Sequence, residues 1–221
     1  MDLMPVSGRT RPQSSKDNRM TAAGLCFLVA LLMSLSVPRN ALWREPGGIW
    51  RDTTGKSPGK ARPYYNLGQV YEAAGRLEDA RAAYQAAVAA KPDYFQAQNN
   101  LGNVFLALGR EDDAFRAFQA AAAARPDASA LTHDNLGYLH FTRGRYDEAI
   151  REYRTALEIE PGSGEIRNNL GYVYLTMGRF DDAIRVFEQA LAVRPDLDTA
   201  RQNLARAVEE RDRARGARRR Q

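Results

Sequence analysis

A ten-residue phrase returns four times along the chain at an almost fixed distance. NLGQVYEAAG begins at Asn66, NLGNVFLALG at Asn100, NLGYLHFTRG at Asn135 and NLGYVYLTMG at Asn169, with starts separated by 34, 35 and 34 residues. A second block follows each phrase: LEDARAAYQAAVAAKP, EDDAFRAFQAAAAARP, YDEAIREYRTALEIEP and FDDAIRVFEQALAVRP. Pro58, Pro92, Pro126, Pro161 and Pro195 keep the same beat. A period of this length, with apolar residues at helical spacing inside it, describes repeated helix pairs. One such pair cannot bury its apolar face alone. Stability has to come from stacking on neighbours, so the chain is restricted to an elongated all-α array.

Each recurring position has a physical reason. In the first block Leu67, Leu101, Leu136 and Leu170 stand one turn before Tyr71, Phe105, His140 and Tyr174, which puts each pair on one helix face. Gly68, Gly102, Gly137 and Gly171 omit a Cβ where two helices cross closely. Gly75, Gly109, Gly144 and Gly178 stand at the turn between the helices, where a positive φ is expected. The second block offers a ridge of small, large and small residues: Ala80/Tyr84/Ala87, Ala114/Phe118/Ala121, Ala149/Tyr153/Ala156 and Ala183/Phe187/Ala190. The prolines end the second helices.

With these positions in place, the chain resembles the tetratricopeptide repeat (TPR) family. The resemblance covers residues 61–197 as four units, 61–94, 95–128, 130–163 and 164–197, with the extra residue in the loop around Ala128. It implies an α-solenoid, a right-handed superhelix of helix pairs whose first helices line a groove for a protein or peptide partner. The groove positions it implies are Tyr65, Asn66, Gln69, Asn99, Asn100, Asn103, Asp134, Asn135, Tyr138, Phe141, Asn168, Asn169, Tyr172, Gln202 and Asn203. Asn66, Asn100, Asn135, Asn169 and Asn203 recur once per unit. This ladder is similar to the asparagine ladder of the O-GlcNAc transferase superhelix. An amide that both donates and accepts can hold an extended backbone, and it can equally bridge adjacent helices. Tyr138, Phe141 and Tyr172 read either as selective partner contacts or as packing within the array. The basic carboxylate clamp of chaperone-binding TPR proteins has no counterpart, because its slots hold Tyr65, Asn100, Leu131 and Asn135.

Both ends of an array need closing. Residues 198–214 repeat the first-helix pattern with polar substitutions and read as a capping helix. Residues 39–60 read as a junction with a degenerate half-repeat, because Trp50 lies 34 residues before Tyr84 and Pro58 the same distance before Pro92. Residues 1–20 read as a disordered basic tail and 215–221 as a second basic tail. Between the first tail and the junction lies an uncharged run within 21–38. Its 17 residues TAAGLCFLVALLMSLSV would span about 26 Å as a helix, slightly less than a ~30 Å hydrocarbon core. A single membrane-spanning helix is the expectation, with a cleaved signal peptide and a buried helix as alternatives. Lys/Arg counts within about twenty residues on either side of the run tie at four each, so orientation leans only on the short amino-terminal tail staying inside, with the array extracytoplasmic. The junction motifs Arg39-Asn40, Trp43-Arg44, Trp50-Arg51-Asp52 and Ser57-Pro58 are similar to the TPR tail of polytopic glycosyltransferase-like membrane proteins, without the further membrane helices of such enzymes.

Composition narrows the chemistry. The formal net charge is +5, yet residues 211–221 alone carry six arginines and one aspartate, and residues 1–20 add four basic and two acidic groups. The array itself is therefore mildly acidic, and the basic character belongs to the tails, which disfavours a nucleic-acid partner. One cysteine, Cys26, excludes an internal disulfide, and two histidines leave little for a metal cluster. His140 falls in the slot of Tyr71, Phe105 and Tyr174, as a core residue. The acidic pairs that open the second helices suit a helix N-terminus. No catalytic residue, metal or cofactor is expected. The sequence reading is a membrane-anchored TPR scaffold, not an enzyme. Alternatives are an accessory tail of a glycosyltransferase-like membrane protein or a secreted TPR protein. Its oligomeric state is left open.

Overall fold

The computed structural model describes Phe27, residues 47–127 and residues 129–218. The expectations for the tail 1–20, for the apolar run 21–38 beyond Phe27 and for residues 39–46 lie outside the described residues. Among the described residues no helix is long and apolar enough to cross a membrane.

Ten helices and no strand are found among the described residues. A lone helix α1 (Gly48–Lys56) comes first. Four pairs follow: α2 (Ala61–Ala73) with α3 (Leu77–Ala90), α4 (Phe95–Ala107) with α5 (Glu111–Ala124), α6 (Ala130–Thr142) with α7 (Tyr146–Ile159), and α8 (Gly164–Thr176) with α9 (Phe180–Val193). Helix α10 (Asp198–Arg218) closes the array. Each helix packs on the next, within a unit and between units, as in a solenoid.

The turn inside each unit is made the same way. Gly75, Gly109, Gly144 and Gly178 take φ of 70, 71, 70 and 71°. The next amide then reaches back: Arg76 N–H donates to the Tyr71 carbonyl at 2.8 Å and Arg110 N–H to Phe105 at 2.8 Å. Arg145 and Arg179 do the same to His140 and Tyr174, both at 2.9 Å. These bonds satisfy carbonyls that a helix end would otherwise leave open. In three units the arginine side chain also folds over the ring that supplies the carbonyl. Arg76 lies 4.6 Å from the Tyr71 centroid, Arg110 4.9 Å from Phe105 and Arg179 4.6 Å from Tyr174. Its partner acid sits in the first turn of the second helix, as in Arg76–Asp79 at 2.7 Å and Arg179–Asp182 at 2.6 Å.

Within a unit, the crossing point is a glycine against a ring. A Cβ added to Gly68, Gly102, Gly137 or Gly171 would stand 2.5–2.8 Å from Tyr84, Phe118, Tyr153 or Phe187 respectively. Those four rings are buried, three of them completely. Two large apolar clusters divide the array, one drawn from Ala80 to Leu139 and one from Ala130 to Ala207, so the core is spread along the units rather than centred.

The two ends differ from the sequence expectation in detail. Helix α1 stops at Lys56, in register with the end of α3, but Trp50 is only half-buried where Tyr84 is fully buried. Tyr84 is enclosed by Gly68 of its own unit's first helix, and α1 has no such partner among the described residues. Trp50 instead borders an open cleft of about 620 Å³ with Pro63, Ala90 and Tyr94. At the other end α10 runs past residue 214 into the second tail, where Arg215 pairs with Asp181 at 3.1 Å.

Candidate functional site

The predicted site residues are carried by five alternate helices, the first helix of each unit and the closing helix. Tyr65, Asn66 and Gln69 lie on α2, Asn99, Asn100 and Asn103 on α4, and Asp134, Asn135, Tyr138 and Phe141 on α6. Asn168, Asn169 and Tyr172 lie on α8, and Gln202 and Asn203 on α10. Three- and four-residue spacing keeps each group on one helix face.

The asparagines join unit to unit. Asn135 donates Nδ2 to Asn103 Oδ1 at 3.1 Å, Asn169 to Asp134 Oδ1 at 3.0 Å, and Asn203 to Asn168 Oδ1 at 2.9 Å. Thr132 Oγ1 donates to Asn99 Oδ1 at 2.7 Å. Asn100 donates to the Tyr84 hydroxyl at 3.2 Å, and that hydroxyl in turn donates to Glu72 at 2.6 Å. Burial, followed by the Glu72 bond, pushes the Tyr84 hydroxyl far up, so it stays protonated. The ladder amides thus bridge adjacent helices with their N–H groups. Their Oδ1 atoms at Asn100, Asn135, Asn169 and Asn203 accept no hydrogen bond among the described residues. Asn66, with no described first helix ahead of it, makes no such bridge among the described residues.

Seven of the predicted residues converge on one cleft. Tyr138, Phe141, Asn168, Asn169, Tyr172, Gln202 and Asn203 line a space of about 350 Å³ where the third unit, the fourth unit and α10 meet. Phe141 meets Tyr172 edge-on at 5.6 Å between centroids. Tyr138 and Tyr172 remain exposed, at 48% and 37%. For these residues packing within the array is incomplete, and their rings form the cleft wall. Tyr153 and Thr199 complete the lining, and the sequence reading missed both. Tyr153 was legible only as the ridge residue over Gly137, and Thr199 only as part of the cap's first turn.

The other predicted residues lie elsewhere. Tyr65 forms a separate aromatic group with Tyr94 at 5.2 Å and Tyr84 at 5.8 Å, and Gln69 donates to its hydroxyl at 3.2 Å. Asn99, Asn100 and Asn103 are taken up in the bridges between units. Asp134 stands one turn before Tyr138 and touches the cleft through Asn169. Burial, reinforced by Glu165 and opposed by the Asn169 bond, raises its carboxyl above the usual carboxylate range. No cation pairs with it among the described residues.

The two histidines have separate surroundings. His133 uses both ring nitrogens, Nδ1 with Glu152 at 2.7 Å and Nε2 with the Pro126 carbonyl at 2.8 Å. His140 is buried against Phe115, edge-on at 5.1 Å. Among the described residues no three His, Cys, Asp or Glu side chains are grouped to hold a metal ion.

Three models of the tetratricopeptide repeat match the chain, over residues 65–129, 128–196 and 175–220. The helix pairs are tetratricopeptide repeats. No curated protein matches the chain in sequence. Among solved structures, the TPR array is similar to the MamA protein, with 24% identity, a TM-score of 0.65, and 69% of this chain and 82% of that one covered. It is similar also to YrrB, described as a TPR protein with an unusual peptide-binding site, at 21% identity and a TM-score of 0.64 over 76% and 86% of the two chains. A third likeness, to the Cut9-Hcn1 hetero-tetramer of the APC/C, covers 78% of this chain and 33% of that one at 21% identity and a TM-score of 0.60. At these identities the likenesses speak for the fold.

Proposed function

We propose that this TPR protein is a scaffold that holds an extended segment of a protein partner against the face of its first helices, and that residues 21–38 fix it to a membrane as a single-pass anchor. The observation that carries the first part is the aromatic and carboxamide cleft between the third unit, the fourth unit and the cap. Rings left partly exposed beside amides with open acceptors suit a peptide: the rings gain by burial, and the Oδ1 atoms can take backbone N–H groups. YrrB, a protein of like fold, has a peptide-binding site. The apolar run supports the second part, and the array is then expected outside the cytoplasm.

Changing Tyr138, Phe141 and Tyr172 together to Ala tests the groove. Removing three anchors of this kind is expected to weaken a bound peptide at least ~100-fold, since single hot-spot truncations cost about 2 kcal/mol or more. Unchanged binding would refute the reading. Carbonate washing tests the anchor: membranes are expected to retain the full-length protein, and release into the wash would remove that part alone.

A further inference from the structure

The cleft has a chemical bias that its apolar rings alone do not explain. None of its lining residues is charged. Asp134 nevertheless lies at its edge, half-buried, hydrogen-bonded to the cleft residue Asn169 and without a cationic partner among the described residues. Glu165, close enough to act on Asp134, is engaged by Arg194 at 2.6 Å. Leaving a carboxylate partly desolvated and unpaired is costly unless something positive arrives to meet it.

The rings beside it are disposed to receive that charge. Elsewhere in this chain arginines lie over aromatic faces, as Arg143 does over Phe115 at 4.3 Å and Arg76 over Tyr71 at 4.6 Å. No described cation lies over Tyr138, Phe141 or Tyr172. An exposed tyrosine face attracts an ammonium or guanidinium through its quadrupole, and an adjacent carboxylate adds to that attraction. The amide oxygens of Asn169 and Asn203, open among the described residues, supply further acceptors for the same N–H donors.

We infer that the cleft receives one lysine or arginine side chain of the extended partner segment, seated against Tyr138 and Tyr172 and balanced by Asp134. The inference rests on the groove reading above and specifies what that groove selects. An acidic segment is rejected by the same carboxylate, and a purely apolar one leaves it unpaired.

The experiment displays a random dodecapeptide library to the full-length protein in a neutral detergent. The enriched peptides are then measured by fluorescence anisotropy against the protein and its Asp134→Asn variant, whose fold is checked by circular dichroism. Enriched peptides are expected to share one Lys or Arg. Replacing that residue by norleucine should weaken binding to the parent protein about tenfold, and markedly less to D134N, because the lost charge then has no counterpart. Enrichment of peptides lacking a basic residue overturns this inference and leaves the groove reading standing. So does an equal effect of norleucine on both proteins. If no peptide is enriched over the Tyr138/Phe141/Tyr172→Ala variant, both fall together.

Discussion

At the residue scale, the glycine opposite each second-helix ring is the most constrained position in the unit. A methyl group on Gly102 would lie 2.6 Å from Phe118, a ring with no exposed surface into which to yield. Overpacking costs about 1–3 kcal/mol, against up to ~1 kcal/mol gained by replacing a helical glycine with alanine. Gly102→Ala should therefore lower stability by roughly 1–2 kcal/mol. Gly216, on α10 with nothing within 4 Å of a Cβ, is the control, and Gly216→Ala should leave stability equal or slightly higher. Thermal unfolding of the two variants checks this, and equal melting temperatures would contradict it. These glycines were legible as a close crossing from their recurrence alone. Which ring each one faces was not, because that depends on how the two helices of a unit settle. The ladder asparagines were less legible still. Their sequence pattern allowed a partner's backbone or a neighbouring helix, and only the placement of Asn103, Asp134, Asn168 and Tyr84 shows where the N–H groups go.

At the element scale, α6 is the first helix whose side chains depart most from the repeat. It carries both histidines, seven residues apart, and they respond to pH in opposite senses. Glu152 and the Pro126 carbonyl raise the His133 pKa despite its burial, so protonated His133 stabilises the fold below about pH 6.5. That contribution is lost as pH rises through the raised value. Burial lowers the pKa of His140, over the smaller opposing effects of Glu152 and Glu148 and with Arg145 and Arg143 acting in the same direction. Its contribution is complete above about pH 6.5 and is lost as pH falls through the lowered value. His133→Gln is expected to cost more stability at pH 6 than at pH 8. His140→Phe, matching Phe105, is expected to gain more at pH 6 than at pH 8, and it also removes a buried Nδ1 that has no partner. Urea unfolding at the two pH values checks both, and pH-independent differences would contradict the assignment. The slot of His140 was readable from the repeat. The role of His133 was hidden, because the same task falls to different residue types. Gln98 holds the Pro92 carbonyl and Arg201 that of Pro195, just as His133 holds that of Pro126.

At the scale of the whole molecule, the number and order of units followed from the spacing of NLG and proline. The cleft did not, because its walls come from three helices of two units and the cap. Tyr138, Tyr172 and Gln202 could be placed on first-helix faces one at a time, but their convergence with Tyr153 and Thr199 depends on the rotation between successive units. The same geometry sets the central claim, that a partner lies on the first-helix face and not on the ridge of the second helices. Hydrogen exchange of the full-length protein, with and without a peptide enriched from the dodecapeptide library, tests this directly. Added protection is expected in α6, α8 and the first turns of α10, with α5 and α9 unchanged. Protection gathered instead on those second helices would contradict the account.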